Sequence, residues 1–169
     1  MSAGPGIGES APAAAAAAPA AEGAFGRLAA LEIRSIVLID ALDLSFAPGL
    51  TVLTGETGAG KSILLDALGF ALGRKPRRDL VLAGAAQGSA TALFEIGPRH
   101  PALAVMDELA LAPAEDGMLV CRRVARADGP ASAFVNDQRV SAETLARIGA
   151  GGGHLALPGG TQRPIADHA

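Results

Sequence analysis

Residues 50–62 read Leu50-Thr51-Val52-Leu53-Thr54-Gly55-Glu56-Thr57-Gly58-Ala59-Gly60-Lys61-Ser62. The run 50–54 is short, β-rich and ends directly at Gly55, the pattern of a buried strand. Residues 61–72 predict a helix, because Leu64, Ala67, Leu68, Ala71 and Leu72 fall on one face at spacings of three and four. Gly73 is placed to cap that helix, and Arg74, Lys75 and Pro76 follow it. Between strand and helix, Gly55, Glu56, Thr57, Gly58, Ala59, Gly60, Lys61 and Ser62 satisfy G-x-x-x-x-G-K-[ST] in full.

Each residue type in that loop has a physical reason. Glycines allow positive φ and let backbone N–H groups approach phosphate oxygens. The helix N-terminus adds unsatisfied donors and partial positive charge. Lys61 is within reach of β and γ phosphates, and the Ser62 hydroxyl is a ligand for Mg²⁺ between them. With this composition the four fixed positions arise by chance in roughly a few chains per thousand. Lys61 sharpens the case: the chain has two lysines against twelve arginines, and one lysine stands here. The expected class is an α/β P-loop NTPase with ATP and Mg²⁺ as ligands. The motif alone leaves open a transporter-type ATPase, a nucleotide kinase or a DNA-repair ATPase.

The rest of the chain narrows the field. Its 169 residues are half apolar and 18% charged, with a formal net charge of −3 and a pI near 5.6. Such a chain does not coat nucleic acid by bulk charge, so any DNA contact is local. Cys121 is the single cysteine, which excludes an internal disulfide framework, and burial is its expected state. His100, His154 and His168 lack metal-ligand spacing. The sequence contains no apolar run of about 18 residues, so no membrane contact is expected and a cytoplasmic setting is.

Residues 1–26 hold eleven Ala, five Gly, three Pro and no Lys or Arg, and read as a disordered tail. Residues 27–148 carry the strand and helix patterns. Strands are expected over 28–34, 37–46, 89–96, 118–127 and 131–136, the last two forming a hairpin around Asp128-Gly129-Pro130. Short helices are expected over 101–109 and from Ser141, a good N-cap, to about 148. Residues 149–169 read as an irregular, glycine-rich segment.

Beyond the loop, Phe46-Ala47-Pro48-Gly49 leading into 50–62, then Asp66-Ala67-Leu68, Leu72-Gly73, residues 81–85, Leu93-Phe94-Glu95-Ile96, Arg122-Arg123-Val124 and Ala133-Phe134-Val135-Asn136 resemble the RecN family of SMC-like, ABC-type ATPases. The resemblance covers about residues 28–148. It implies the N-terminal lobe of an ATPase head with a β-rich subdomain, incomplete in itself. It further implies repair of DNA double-strand breaks and recombination, with ATP bound between two heads of a homodimer and DNA engaged by the complete protein. Arg34 and Ser35 fall where related heads contact adenine or ribose. The coiled coil, signature motif and Walker B strand of the family belong to a C-terminal half not present in these residues, so ATP hydrolysis is expected of a complete head and not of this isolated chain. The glutamine of the family's E-I-H-G-Q-H stretch falls at about Gly160, with Gln162 nearby but out of register.

Two further groups have a structural and a functional reading. Arg74, Lys75, Arg77 and Arg78 form a basic cluster, read as a solvated helix end or as a phosphate-facing loop. Arg122, Arg123 and Arg126 lie on an expected strand, with Arg123 on the opposite face from the other two, and read as a surface strand.

Overall fold

Alternation of small or apolar residues with polar ones builds the central sheet of this computed structural model, which describes residues 26–47, 58–112, 115–151 and 155–156. The strands are β1 (Gly26–Ile36), β2 (Ile39–Ser45), β3 (Gln87–Ile96), β4 (Met118–Arg126), β5 (Gly129–Val135), β6 (Gln138–Val140) and β7 (Leu155–Ala156). The helices are α1 (Gly58–Ala71), α2 (Pro101–Glu108) and α3 (Ala142–Gly151). The path β2-β1-β3-β4-β5-β6 is antiparallel throughout, and β7 joins β1 in parallel.

The register aligns buried rows across the sheet. Leu31 pairs with Ala92, Ala92 with Cys121 and Cys121 with Val135. Ile33 pairs with Ala90, Ala90 with Arg123 and Arg123 with Ala133. These rows form one face, packed under Ala67, Leu68, Phe70 and Ala71 of α1, Ala102 and Met106 of α2, and Leu145 and Ile148 of α3. Alanines at 90 and 92 keep the centre of that face shallow, which lets a helix lie close to it.

The expected hairpin forms, with β4 and β5 meeting across Arg126 and Gly129. The α1 cap also forms as expected. Gly73 has φ +92, its N–H bonds to Phe70 O, and Arg74 N–H bonds to Gly69 O, the two bonds of a Schellman motif. Ser141 caps α3 by accepting from Thr144 N at 3.0 Å. At α2, His100 Nδ1 accepts from Ala102 N, and Pro101 opens the helix.

Several features differ from the sequence expectation. α1 starts at Gly58, inside the loop motif, rather than at residue 61. The residues after the Asn136-Asp137 turn, at φ 45 and 64, return as β6. α3 runs to Gly151, and Leu155 and Ala156, within the segment read as irregular, pair with Gly26 and Arg27. The strand expected at 50–54 and the tail 1–25 lie outside the described residues.

Arg123 corrects the surface-strand reading. It is 5% exposed, on the helix-covered face of β4. Its guanidinium lies 4.7 Å from the Phe70 ring centroid and donates to Arg74 O at 2.6 Å, just past the α1 cap. The charge is tolerated because a carbonyl and an aromatic face receive it, and because its row neighbours Ala90 and Ala133 leave space. Arg122, on the other face, behaves as expected: half-exposed, over Phe134 and 3.5 Å from Asp137.

Close backbone approach explains two glycines. At Gly88 a Cβ would stand 2.3 Å from Ser35 O. At Gly73 it would stand 2.6 Å from Ala146 N of α3, on top of the positive φ. Gly84, φ +86, faces open space. Gly84→Ala should therefore cost about 1 kcal/mol from conformation alone, and Gly73→Ala about 3 kcal/mol or more, read from urea midpoints. Equal losses would show that α3 does not pack on the cap. Arg123→Ala should cost about 2–4 kcal/mol, and Arg122→Ala under about 1 kcal/mol, with a double-mutant cycle locating the coupling at Phe70.

Candidate functional site

The first turn of α1 carries Gly60, Lys61 and Ser62, all exposed. Gly58 and Ala59 open the helix; Gly55, Glu56 and Thr57 lie outside the described residues. Helical geometry at 58–62 aims the first N–H groups of α1 out of its end, where they have no intrahelical acceptor. Lys61 and Ser62 are consecutive on that turn. No described atom lies within 4 Å of the position a Cβ would take at Gly60, and its φ is not in the left-handed region. The fold itself therefore does not require glycine at 60. Among the described residues, nothing at this position demands glycine.

The far end of α1 fixes the direction of that turn. Phe70 and Ala71 are buried, the Gly73 cap abuts α3, and Arg123 holds the following carbonyl. Leu64 is partly buried and Leu65 is 53% exposed, so the apolar stripe fades toward the N-terminal end. The helix is thus anchored at its C-terminal half and presents its N-terminal turn to solvent.

Arg34 and Ser35 sit at the end of β1. The Arg34 guanidinium forms an ion pair with Asp43 at 2.5 Å and donates to Leu42 O and Ile33 O. The hydrogen bond to Asp43 raises its pKa above the ordinary arginine value. Ser35 adopts φ 50, its carbonyl accepts from Leu82 N, and it crowds Gly88. Both residues are therefore engaged in holding the β1–β2 hairpin and the chain at 80–82.

The basic cluster divides. Arg77 pairs with Asp66 of α1 at 2.9 Å, and the Arg74 side chain lies over Gly69. Lys75 and Arg78 are exposed. Cys121 is buried, and burial pushes its thiol up to about 12, which favours the neutral form. No group of His, Cys, Asp and Glu suited to a metal ion occurs among the described residues. No described helix is long and apolar enough to cross a membrane. Gly160 and Gln162 lie outside the described residues.

Comparison with known proteins agrees with this geometry. Residues 30–102 match the family model of an AAA domain. The DNA repair protein RecN of Halalkalibacterium halodurans is 41% identical over 122 residues, which are 72% of this chain and 21% of that protein. RecN of Bacillus subtilis is 39% identical over the same shares of the two chains. The chain spans about a fifth of the length of these relatives. Among solved structures, the Smc head domain of Pyrococcus furiosus superposes with a TM-score of 0.60 at 22% identity, over 80% of this chain and 35% of that one. The recombination mediator protein RecF superposes with a TM-score of 0.58 at 15% identity, over 73% of this chain and 30% of that one. The described residues have the α/β fold of SMC and RecF ATPase heads in incomplete form, and the chain is similar in sequence to DNA repair proteins named RecN.

Proposed function

We propose that this chain is the ATP-binding N-terminal lobe of a RecN-like ATPase head acting in the cytoplasm in DNA double-strand break repair and recombination. The observation that carries the proposal is the complete phosphate-binding motif at 55–62 running into α1, in a chain matched to proteins named DNA repair protein RecN. The lobe is taken as residues 27–148, with residues 1–26 a tail and residues 149–169 a trailing segment whose first residues still pack on it.

In this reading the backbone of Gly55, Glu56, Thr57, Gly58, Ala59 and Gly60 wraps the phosphates, and Lys61 neutralises the β and γ oxygens. The exposed Ser62 would hold a Mg²⁺ ion through its hydroxyl, and the ion would supply positive charge against the phosphate oxygens. Glu56 contributes its peptide group and not its carboxylate. An adenine or ribose contact from Arg34 requires its release from Asp43, so the phosphates are the principal anchor. Hydrolysis needs a group to position water and a second head to complete the site, supplied by the C-terminal half and a homodimeric partner. ATP-driven dimerization and DNA-stimulated activation are described for one of the matching SMC ATPase structures, which supports the need for a second head.

Lys61→Ala should weaken ATP binding by at least about tenfold, the loss of one charge-assisted contact, when measured by calorimetry in the presence of Mg²⁺. Equal affinity in the two proteins would sink the assignment. Gly60→Ala separates ligand from fold. It should leave stability unchanged or raise it by up to about 1 kcal/mol, as Ala replaces Gly in a helix, while weakening ATP binding. A destabilised Gly60→Ala with unchanged ATP affinity would reverse that assignment.

A further inference from the structure

We propose that the groove between the 76–85 loop and the β4–β5 turn binds the sugar-phosphate backbone of a nucleic acid. The groove has a volume of about 580 Å³ and is open to solvent. Arg77 and Arg78 line it from the loop, and Arg126 lines it from the end of β4 on the opposite wall. Asp79 is the acidic residue among its lining groups. Arg77 shares its charge with Asp66, whereas no described residue forms an ion pair or hydrogen bond with Arg78 or Arg126. Two guanidiniums from separate elements, neither in an ion pair with a described residue, thus line one channel that also holds Asp79.

The walls are fixed rather than incidental. Val37 N–H bonds to Leu80 O and Leu82 N–H to Ser35 O, which ties the loop to β1. Ala127 N–H bonds to Ala86 O, which ties the hairpin to the start of β3. The remaining lining is Leu80, Val81, Leu82 and Pro76 on the loop side and mostly Ala and Gly elsewhere, including Gly84 and Gly129, which leaves the channel open for a backbone to lie along it. The occupant is polymeric because the arginines are spread along an open groove much larger than one phosphate, and no buried polar group encloses a single anion. Arginine forks suit phosphodiester oxygens, and apolar walls carry no base-reading group, so recognition is independent of sequence. The chain is acidic overall, so affinity rests on this local charge and sits in the weak range of about 10⁻⁴–10⁻⁶ M at physiological salt. The proposal rests on the reading that the protein acts on DNA, and not on the phosphate-binding loop.

The test measures binding of a fluorescein-labelled 30-nucleotide single strand and the matching duplex by the full 169-residue chain at several salt concentrations. Arg78→Glu/Arg126→Glu should weaken binding by about tenfold or more at low salt and reduce the slope of log K against log salt by about two. Arg139→Glu, exposed on β6 away from the groove, should change binding less than about twofold. Thermal melts establish that each variant is folded, and Arg78→Ala/Arg126→Ala serves if the glutamates unfold it. ATP binding should be unchanged in the groove variants. Wild-type DNA affinity in the groove variants, or an equal loss in Arg139→Glu, overturns the groove while leaving DNA action intact. No DNA binding by the wild-type chain overturns the proposal and leaves the ATP assignment standing. Competition by poly-glutamate as strong as by unlabelled DNA overturns it in favour of an acidic protein partner.

Discussion

The guanidinium of Arg123 joins the sheet to the end of α1, and the geometry of the lobe depends on that junction. β4 supplies the residue, Phe70 supplies the ring beneath it, and Arg74 supplies the carbonyl that accepts its hydrogen bond. Burial lowers the arginine pKa, but the group has far to fall before losing its charge, so it acts as a permanent cation. An apolar residue of similar length would fill the same space and leave the Arg74 carbonyl without that donor. Arginine alone among the side chains offers a flat face to the ring and a fork to the carbonyl at once. By fixing the last turn of α1, this contact also helps fix where its first turn stands.

Glycine marks the same division between frame and function. Gly73 and Gly88 are demanded by neighbours in the fold, Ala146 of α3 in one case and the Ser35 carbonyl in the other. Gly60 meets nothing of the described chain. The three residues look alike in sequence, yet only the first two stand where the described fold leaves no room for a side chain. The positive φ of Ser35 belongs with the frame, since its bent carbonyl bonds Leu82 and positions one wall of the groove.

Much of this was legible in the sequence, for local reasons. α1, its Gly73 cap, the β4–β5 hairpin and the Ser141 cap are set by residues within a few positions of one another. The matches to RecN proteins and SMC heads agree with the family resemblance carried by those segments. What could not be read was set by distant partners. Alternation put Arg123 on its own face of β4 but could not say that Phe70 and Arg74 wait there. Arg126 and Arg78 are far apart in sequence and belong to different expected elements, so their common groove has no local signature. The insertion of β3 between β1 and β4 is equally a matter of packing.

The pairing of β7 with β1 has a kinetic consequence. β1 gives residues 30–36 of one edge to β2, its immediate successor, and leaves Gly26 and Arg27 for residues near the other end of the described chain. The first pairing closes a tight hairpin and forms early; the second closes a loop around the whole lobe, with a large entropy to overcome and two residues of ladder to show for it. In a chain emerging from a ribosome, β1 and β2 can zip while most of the sheet is still being made. The first two residues of β1 pair with Ile96 and Glu95 of β3 on one side, but their other side must wait for residues 155–156, and on unfolding that outer edge is the natural place to open.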